Sequence, residues 1–178
     1  MKKRVIIVGG GASGLMCAIS AAENCDVIIL EKNDKVAKKV MITGKGRCNV
    51  TNNCDVDALI SAAVSNGRFL YSAFSAFNSQ DTMDFFESSG VPLKTERGNR
   101  VFPVSDKAYD IVNALKRRTA FSGCEIRTNS AVGDIIFKDS SAVGVVLENG
   151  EKIYADAVVI ATGGVSYPLT GSTGDGYR

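Results

Sequence analysis

Three glycines at G-x-G-x-x-G spacing, Gly9, Gly11 and Gly14, separate a β-branched apolar run from a helical stretch, and Glu31 closes the next apolar run. Glycines so spaced handle phosphate with backbone alone. The first lets a strand turn sharply, the second lets backbone approach a pyrophosphate, and the third lets helix pack close to strand. The helix N-terminus then offers free N–H groups and the positive end of its dipole to the phosphate. Glu31 follows at about the 20-residue spacing where a carboxylate accepts hydrogen bonds from ribose hydroxyls. A carboxylate there repels a 2′-phosphate, which argues against NADP. The reading is a site for an ADP-containing dinucleotide, a half that FAD and NAD share. A buried βαβ unit with incidental glycines is the plain alternative.

The elements around these residues fit the site. Val5 to Val8 and Val27 to Leu30 read as buried strands, and Gly14 to about Glu23 as the helix between them, with Leu15, Ala18, Ile19 and Ala22 on one face. Such a pair is a right-handed parallel crossover. Residues 32 to 54 start as a helix and end in a glycine-bearing loop. Ser79 to Ser89 reads as a helix with Ser79 as N-cap and Gly90 at its stop, and Asp106 to about Phe121 as another. Arg100 to Val104 is a short strand, and Glu125 to Thr128 a third parallel one. Asp134 to Lys138, Ala142 to Glu148 and Lys152 to Tyr154 form a meander with its hairpin turn at Asn149-Gly150. Ala157 to Ala161 is a last buried strand running into Thr162-Gly163-Gly164. Gly174-Asp175-Gly176 reads as the start of a helix, so the expectation is a fragment of a longer chain.

Composition narrows the chemistry. The chain has 178 residues, 45% hydrophobic and 22% charged, with net charge +2. That allows one domain with a real core and implies no attraction to nucleic acid. No apolar run approaches the roughly 20 residues of a membrane helix. Met1 to Arg4 and the following apolar residues imitate a secretory leader, but Gly9, Gly10 and Gly11 interrupt the apolar core. Histidine is absent, which removes every His-based triad, base and metal ligand. The five cysteines form no C-x-x-C pair, so neither a zinc site nor a disulfide framework is expected, and a reducing cytoplasm fits best.

Three further segments distinguish the flavin from the nicotinamide. They are MITGKGRCNVTN (41–52), ERGNRVFPVSDKAYDIVNAL (96–115) and VVIATGGVSYPLTGSTGDGYR (158–178). With the N-terminal GGGASG they resemble the YhiN/BaiN-like, or aminoacetone-oxidase-like, family of FAD-dependent oxidoreductases. The resemblance implies a longer protein with a discontinuous FAD domain, of which this chain is the N-terminal part. It implies that Gly9, Gly11, Ala12, Ser13 and Gly14 hold the pyrophosphate and Glu31 the adenosine ribose, with Lys32 beside it. It puts Gly46, Arg47, Cys48 and Asn49 on the flavin side and Val132 near the adenine. Ala161, Thr162 and Gly163 approach the cofactor, and Gly174 and Asp175 form the turn whose helix points at the flavin end.

The residues themselves agree in part. Lys32, Lys35, Lys38, Lys39, Lys45 and Arg47 face Asp34 alone over residues 32–47, a surplus that offsets a pyrophosphate or coats a solvated face. Arg47, after Gly46 in a glycine-bearing loop, reads as a cofactor contact. Cys48, with no partner two or three residues away, reads as a small loop residue rather than a redox thiol. Tyr167 before Pro168 covers a pocket or fills a turn.

The expected architecture is α/β, a Rossmann-like FAD-binding domain with a parallel sheet, a helical insertion over roughly 53–123 and a small antiparallel β-meander over roughly 131–156. The expected activity is two-electron or hydride transfer through FAD to or from a small-molecule substrate, with NAD(P)H as a candidate donor. Neither a nucleic acid, a membrane nor a metal is an expected partner. The resemblance points to reduction of an unsaturated ketosteroid-like compound or oxidation of a small amine. An NAD-linked dehydrogenase and a non-enzymatic nucleotide-binding or interaction module are the rivals. No catalytic acid or base is assigned.

Overall fold

The first apolar run folds as β1 (Lys3–Val8), its last three residues buried, and leads through the glycine turn into α1 (Ala12–Ala21). β2 (Cys25–Leu30) returns parallel to β1. The computed structural model describes residues 2–166 and 173–177. Tyr167 and Pro168 lie outside them. α1 starts two residues before the expected Gly14, because Gly11 already supplies the extended N-cap conformation (φ −77°, ψ −173°).

The chain divides into two compact units, one of residues 1–40 and 115–178 and one of residues 41–114. The first unit carries a parallel sheet in the order β10-β1-β2-β6, with β6 at Glu125–Arg127 and β10 at Ala157–Ile160. An antiparallel meander, β7 (Val132–Lys138), β8 (Ser141–Leu147) and β9 (Lys152–Tyr154), forms a separate sheet.

Two-residue periodicity divides the strand side chains between two layers. Ile6, Val8, Ile28 and Leu30 pack with Val145, Leu147 and Ile153 of the meander into one core. Ile7 and Ile29, fully buried, belong to the opposite face, where α1 packs with Leu15 and Ala18. Both faces of β1 and β2 are therefore covered, which is why these strands read as unbroken apolar runs.

In register, Val8 stands beside Leu30 on one side and Ile160 on the other. The chain moves from β1 toward β2 and β6, then crosses back to place β10 on the far side of β1. That reversal opens a crevice at the carboxyl ends of β1 and β10, where open α/β sheets bind ligands.

The second unit holds α3 (Val56–Ala62), α4 (Tyr71–Ala76), α5 (Ser79–Ser88) and a sheet in the order β3-β5-β4. Its strands are β3 (Thr51–Asn52), β4 (Leu93–Glu96) and β5 (Arg100–Pro103). Asn78, not Ser79, caps α5. Its Oδ1 accepts from Gln80 N at 2.7 Å and Asp81 N at 3.1 Å, and Asp81 returns the bond to Asn78 N. Ser79 is the first helical residue, and it is buried. Two helices cross the unit boundary: α2 (Lys38–Ile42) and α6 (Ala108–Phe121).

Candidate functional site

Sterics shape the turn after β1. Gly9 sits at φ +108°, and a Cβ there would lie 2.5 Å from the Ala161 carbonyl oxygen. A Cβ on Gly14 would lie 1.9 Å from the Gly9 carbonyl oxygen. Neither position has room for a side chain. Gly11 differs, because a Cβ there meets nothing within 4 Å. Its lack of a side chain serves no protein packing and leaves open space at the α1 N-terminus. Its N-cap residue, Gly11, has no side chain with which to cap the terminus. Ala12, Ser13 and Gly14 form the first turn, whose amides are the orphan donors of any helix start. The residues therefore fit a pyrophosphate held by backbone N–H groups and the helix dipole.

The loop after β10 arrives at the same place. Ala161 N–H donates to the Val8 carbonyl at 2.8 Å, so Ala161, Thr162 and Gly163 leave the sheet beside Gly9. The structure thus brings together Gly9, Gly11, Ala12, Ser13, Gly14, Ala161, Thr162 and Gly163 at the crevice. Glu31, at the end of β2, is 7% exposed. Its Oε2 accepts the Gly10 N–H at 2.7 Å, and its Oε1 accepts the Asn33 backbone N–H at 2.9 Å and side-chain amide at 2.6 Å.

Lys32 and Asp175 pair with each other, Nζ to Oδ2 at 2.6 Å, and Lys32 also donates to Thr173 Oγ1 at 2.5 Å. Gly174, at φ +74°, makes the turn between these partners, where a Cβ would meet Val165 at 2.7 Å. Val132 opens β7 opposite Leu147 and packs against the apolar core.

The other four expected residues belong to the second unit. Gly46 (φ +83°) ends a tight turn at Thr43–Gly46 in which Gly44 and Lys45 are also left-handed. Asn49, with its amide nitrogen toward the sheet, donates to Val101 O at 3.2 Å and Thr51 O at 3.0 Å. Cys48 is buried at φ +60°, and burial pushes its thiol pKa up. That suits a packed loop residue rather than a thiolate nucleophile.

Arg47 has protein partners of its own. Its Nη2 lies 2.5 Å from Glu96 Oε1 and 2.6 Å from Asp106 Oδ1, and its guanidinium stacks 4.2 Å above the Phe102 ring. Lys94 completes a quartet, 2.8 Å from Asp106 and 3.3 Å from Glu96. Hydrogen bonds from Lys94 and then Arg47 hold Asp106 below the usual carboxylate range. Arg47 and then Lys94 do the same to Glu96. The guanidinium expected to meet the cofactor is thus engaged by two carboxylates.

Residues that sequence reasoning missed complete the site. Gly10 is bonded on both sides of its peptide, through N–H to Glu31 and through C=O from Ala37 N–H at 2.8 Å. Asn33 holds the far oxygen of Glu31. An Asn two residues from a carboxylate is a common local turn, and only the site's geometry gives it weight. Among the described residues, no helix is long and apolar enough to cross a membrane.

The chain matches the family described as HI0933-like protein Rossmann domain over residues 3–178. It is 34% identical over 180 residues to the 3-dehydro-bile acid delta(4,6)-reductase of Clostridium scindens, covering 98% of this chain and 42% of the relative. It is 30% identical over 175 residues to the ribosomal RNA dihydrouridine synthase of Escherichia coli, covering 97% and 42%. The chain therefore spans less than half the length of these curated relatives. A flavocytochrome c3 fumarate reductase in an open conformation is similar at 26% identity and TM-score 0.65, over 91% of this chain and 34% of that one. The 3-ketosteroid-delta4-(5alpha)-dehydrogenase of Rhodococcus jostii RHA1 shares the fold at TM-score 0.69 and 16% identity, over 93% and 47%.

Two predictions follow from the site. Gly11→Val folds like the wild type, because its side chain enters open space, yet FAD binding weakens by about ten-fold or more, a loss of about 1.4 kcal/mol. Gly14→Ala instead destabilises the fold by about 1–3 kcal/mol, because its methyl overpacks the turn. Thermal melts and flavin titration of both variants separate the two effects. Equal melting temperatures for the two variants contradict this division of labour.

The quartet predicts a pH dependence. Carboxylates held low in the folded state contribute stability above their ordinary pKa and lose it as pH falls through the depressed value. Arg47→Met therefore lowers the melting temperature near neutrality, and the two proteins converge as pH drops below the carboxylate range. A gap that stays constant into acid contradicts the ion-pair account.

Proposed function

Because the chain belongs to the HI0933-like Rossmann-domain family, within the FAD-binding oxidoreductases, we propose that it is the dinucleotide-holding part of an enzyme that reduces a carbon–carbon double bond conjugated to a carbonyl. The open backbone cradle at Gly11, beside the buried carboxylate of Glu31, carries this reading. When bound and reduced, FAD supplies a hydride equivalent. The chain's own part is to bind and orient. The α1 N-terminus and the glycine turn hold the pyrophosphate, Glu31 accepts from the adenosine ribose, and Ala161 to Gly163 close the crevice beside Gly9. Packing of Gly9 against Ala161 keeps these two loops at fixed separation, so the cofactor is positioned by rigid backbone.

The names of the two relatives support the reaction class. A 3-dehydro delta(4,6) compound carries its double bonds in conjugation with a ketone, and the uracil ring of uridine carries its C5–C6 double bond next to a carbonyl. Saturating either bond is hydride addition to an electron-poor alkene followed by protonation. Steroid-like enones are the first substrate class, supported by the higher identity of the bile acid enzyme. Uridine in ribosomal RNA is the second, supported by the Escherichia coli relative; a net charge of +2 weighs toward the small molecule. NADH or NADPH is the donor in this reading. The five free thiols suit a reducing cytoplasm.

The test is anaerobic. NADH or NADPH should bleach the bound flavin of the intact protein, and a 3-oxo-delta4 steroid should restore its absorbance while gaining two hydrogens by mass spectrometry. Reoxidation by unmodified ribosomal RNA but not by the steroid would shift the assignment to the second class. A reduced flavin inert to both alkenes contradicts the proposed reaction.

A further inference from the structure

We propose that Asn33 is a positioning residue for the dinucleotide. It locks the Glu31 carboxylate so that one acceptor site on Oε2 faces an adenosine ribose hydroxyl. The inference rests on the flavin-binding reading above. It extends that reading to a residue that makes no cofactor contact of its own.

A carboxylate offers about four lone-pair sites, two on each oxygen. Both sites on Oε1 of Glu31 are filled from Asn33, by the backbone N–H at 2.9 Å and the side-chain amide at 2.6 Å. One site on Oε2 is filled by the Gly10 N–H at 2.7 Å. Among the described residues a single site remains, on the oxygen that already holds the glycine loop.

The amide is itself oriented. Lys38 Nζ donates to Asn33 Oδ1 at 3.3 Å, and Asp34 holds Lys38 at 3.1 Å. Asn33 therefore turns its oxygen toward Lys38 and its nitrogen toward Glu31. Val36 and Ala37 close over the same turn, both buried, with Ala37 N–H bonded to the Gly10 carbonyl. Any rotation of the Glu31 carboxylate would have to break a bond to Asn33 or to Gly10, the neighbour of the phosphate-facing Gly11. Removing the Asn33 side chain frees a second acceptor site and one axis of rotation. The ribose then meets an acceptor that is no longer preorganised.

The experiment uses the intact protein stripped of flavin, titrated calorimetrically with ADP and with 2′,3′-dideoxy-ADP. ADP carries the adenosine half of FAD, and the dideoxy form lacks both ribose hydroxyls. Wild type should prefer ADP by about five-fold or more. Asn33→Ala should weaken ADP by about five- to ten-fold, the size of one typical hydrogen bond, and the dideoxy ligand by less than about two-fold. Asn33→Asp keeps the shape and backbone donor but faces Glu31 with an oxygen. It should lose the preference too, and it carries the test if the alanine variant is too unstable to purify. Equal weakening of both ligands would mean a purely structural turn and would overturn the proposal. So would a variant that keeps the wild-type preference. Wild-type protein that binds neither ADP nor FAD would overturn the flavin reading itself, whereas a normal wild-type preference that survives in the variants removes only the role of Asn33.

Discussion

The absence of a side chain at Gly14 is the constraint on which the first unit depends. With a Cβ 1.9 Å from the Gly9 carbonyl, no other residue lets α1 leave β1 at this angle and still pack on Ile7. From that contact the rest follows in order. The helix start points at the crevice, β2 returns in register with Leu30 beside Val8, and Glu31 emerges one residue later next to Gly10. β10 then brings Ala161 against Gly9, where again only glycine fits. The open turn at the crevice is thus the by-product of close backbone packing, in which Gly9 and Gly14 are filled against backbone while Gly11 leaves space open.

Charge is distributed differently from what a basic-looking segment suggests. Lys32 is tied to Asp175 and Thr173, Lys38 to Asp34, and Arg47 to Glu96 and Asp106. Each exposed pair contributes little stability alone, since water screens it and long side chains lose freedom. Their combined effect is to set loop geometry. The amides of the first turn of α1 offer an anion a different kind of donor, one that needs no counter-charge to be aligned and cannot swing away.

Much of the first unit was legible because its signals are local. β-Branched runs covered on both faces, glycines at fixed spacing and Asn149-Gly150 between two strands each carry their own explanation. α3 and α4 were missed because both are at most two turns long and bury no residue fully, although Val56, Leu59 and Ile60 of α3 do fall at helical spacing. β4 was missed because Lys94, Thr95 and Glu96 are polar and at most half-buried. Asn78 displaced Ser79 as the α5 cap because either residue type caps well, and only the reciprocal bond with Asp81 decides. Arg47 was read toward the cofactor from its place in a glycine-bearing loop. Its ion-pair partners, Glu96 and Asp106, are far along the chain, and no spacing rule reaches them.

The glycine turn and Glu31 form the proposed site for FAD. The most direct measurement is the visible absorption spectrum of the purified intact protein, followed by chromatography of the cofactor released by heat. The account predicts flavin bands and FAD in the supernatant. A colourless protein that takes up no added FAD but binds NADH tightly would contradict it and make the chain part of a nicotinamide-linked dehydrogenase.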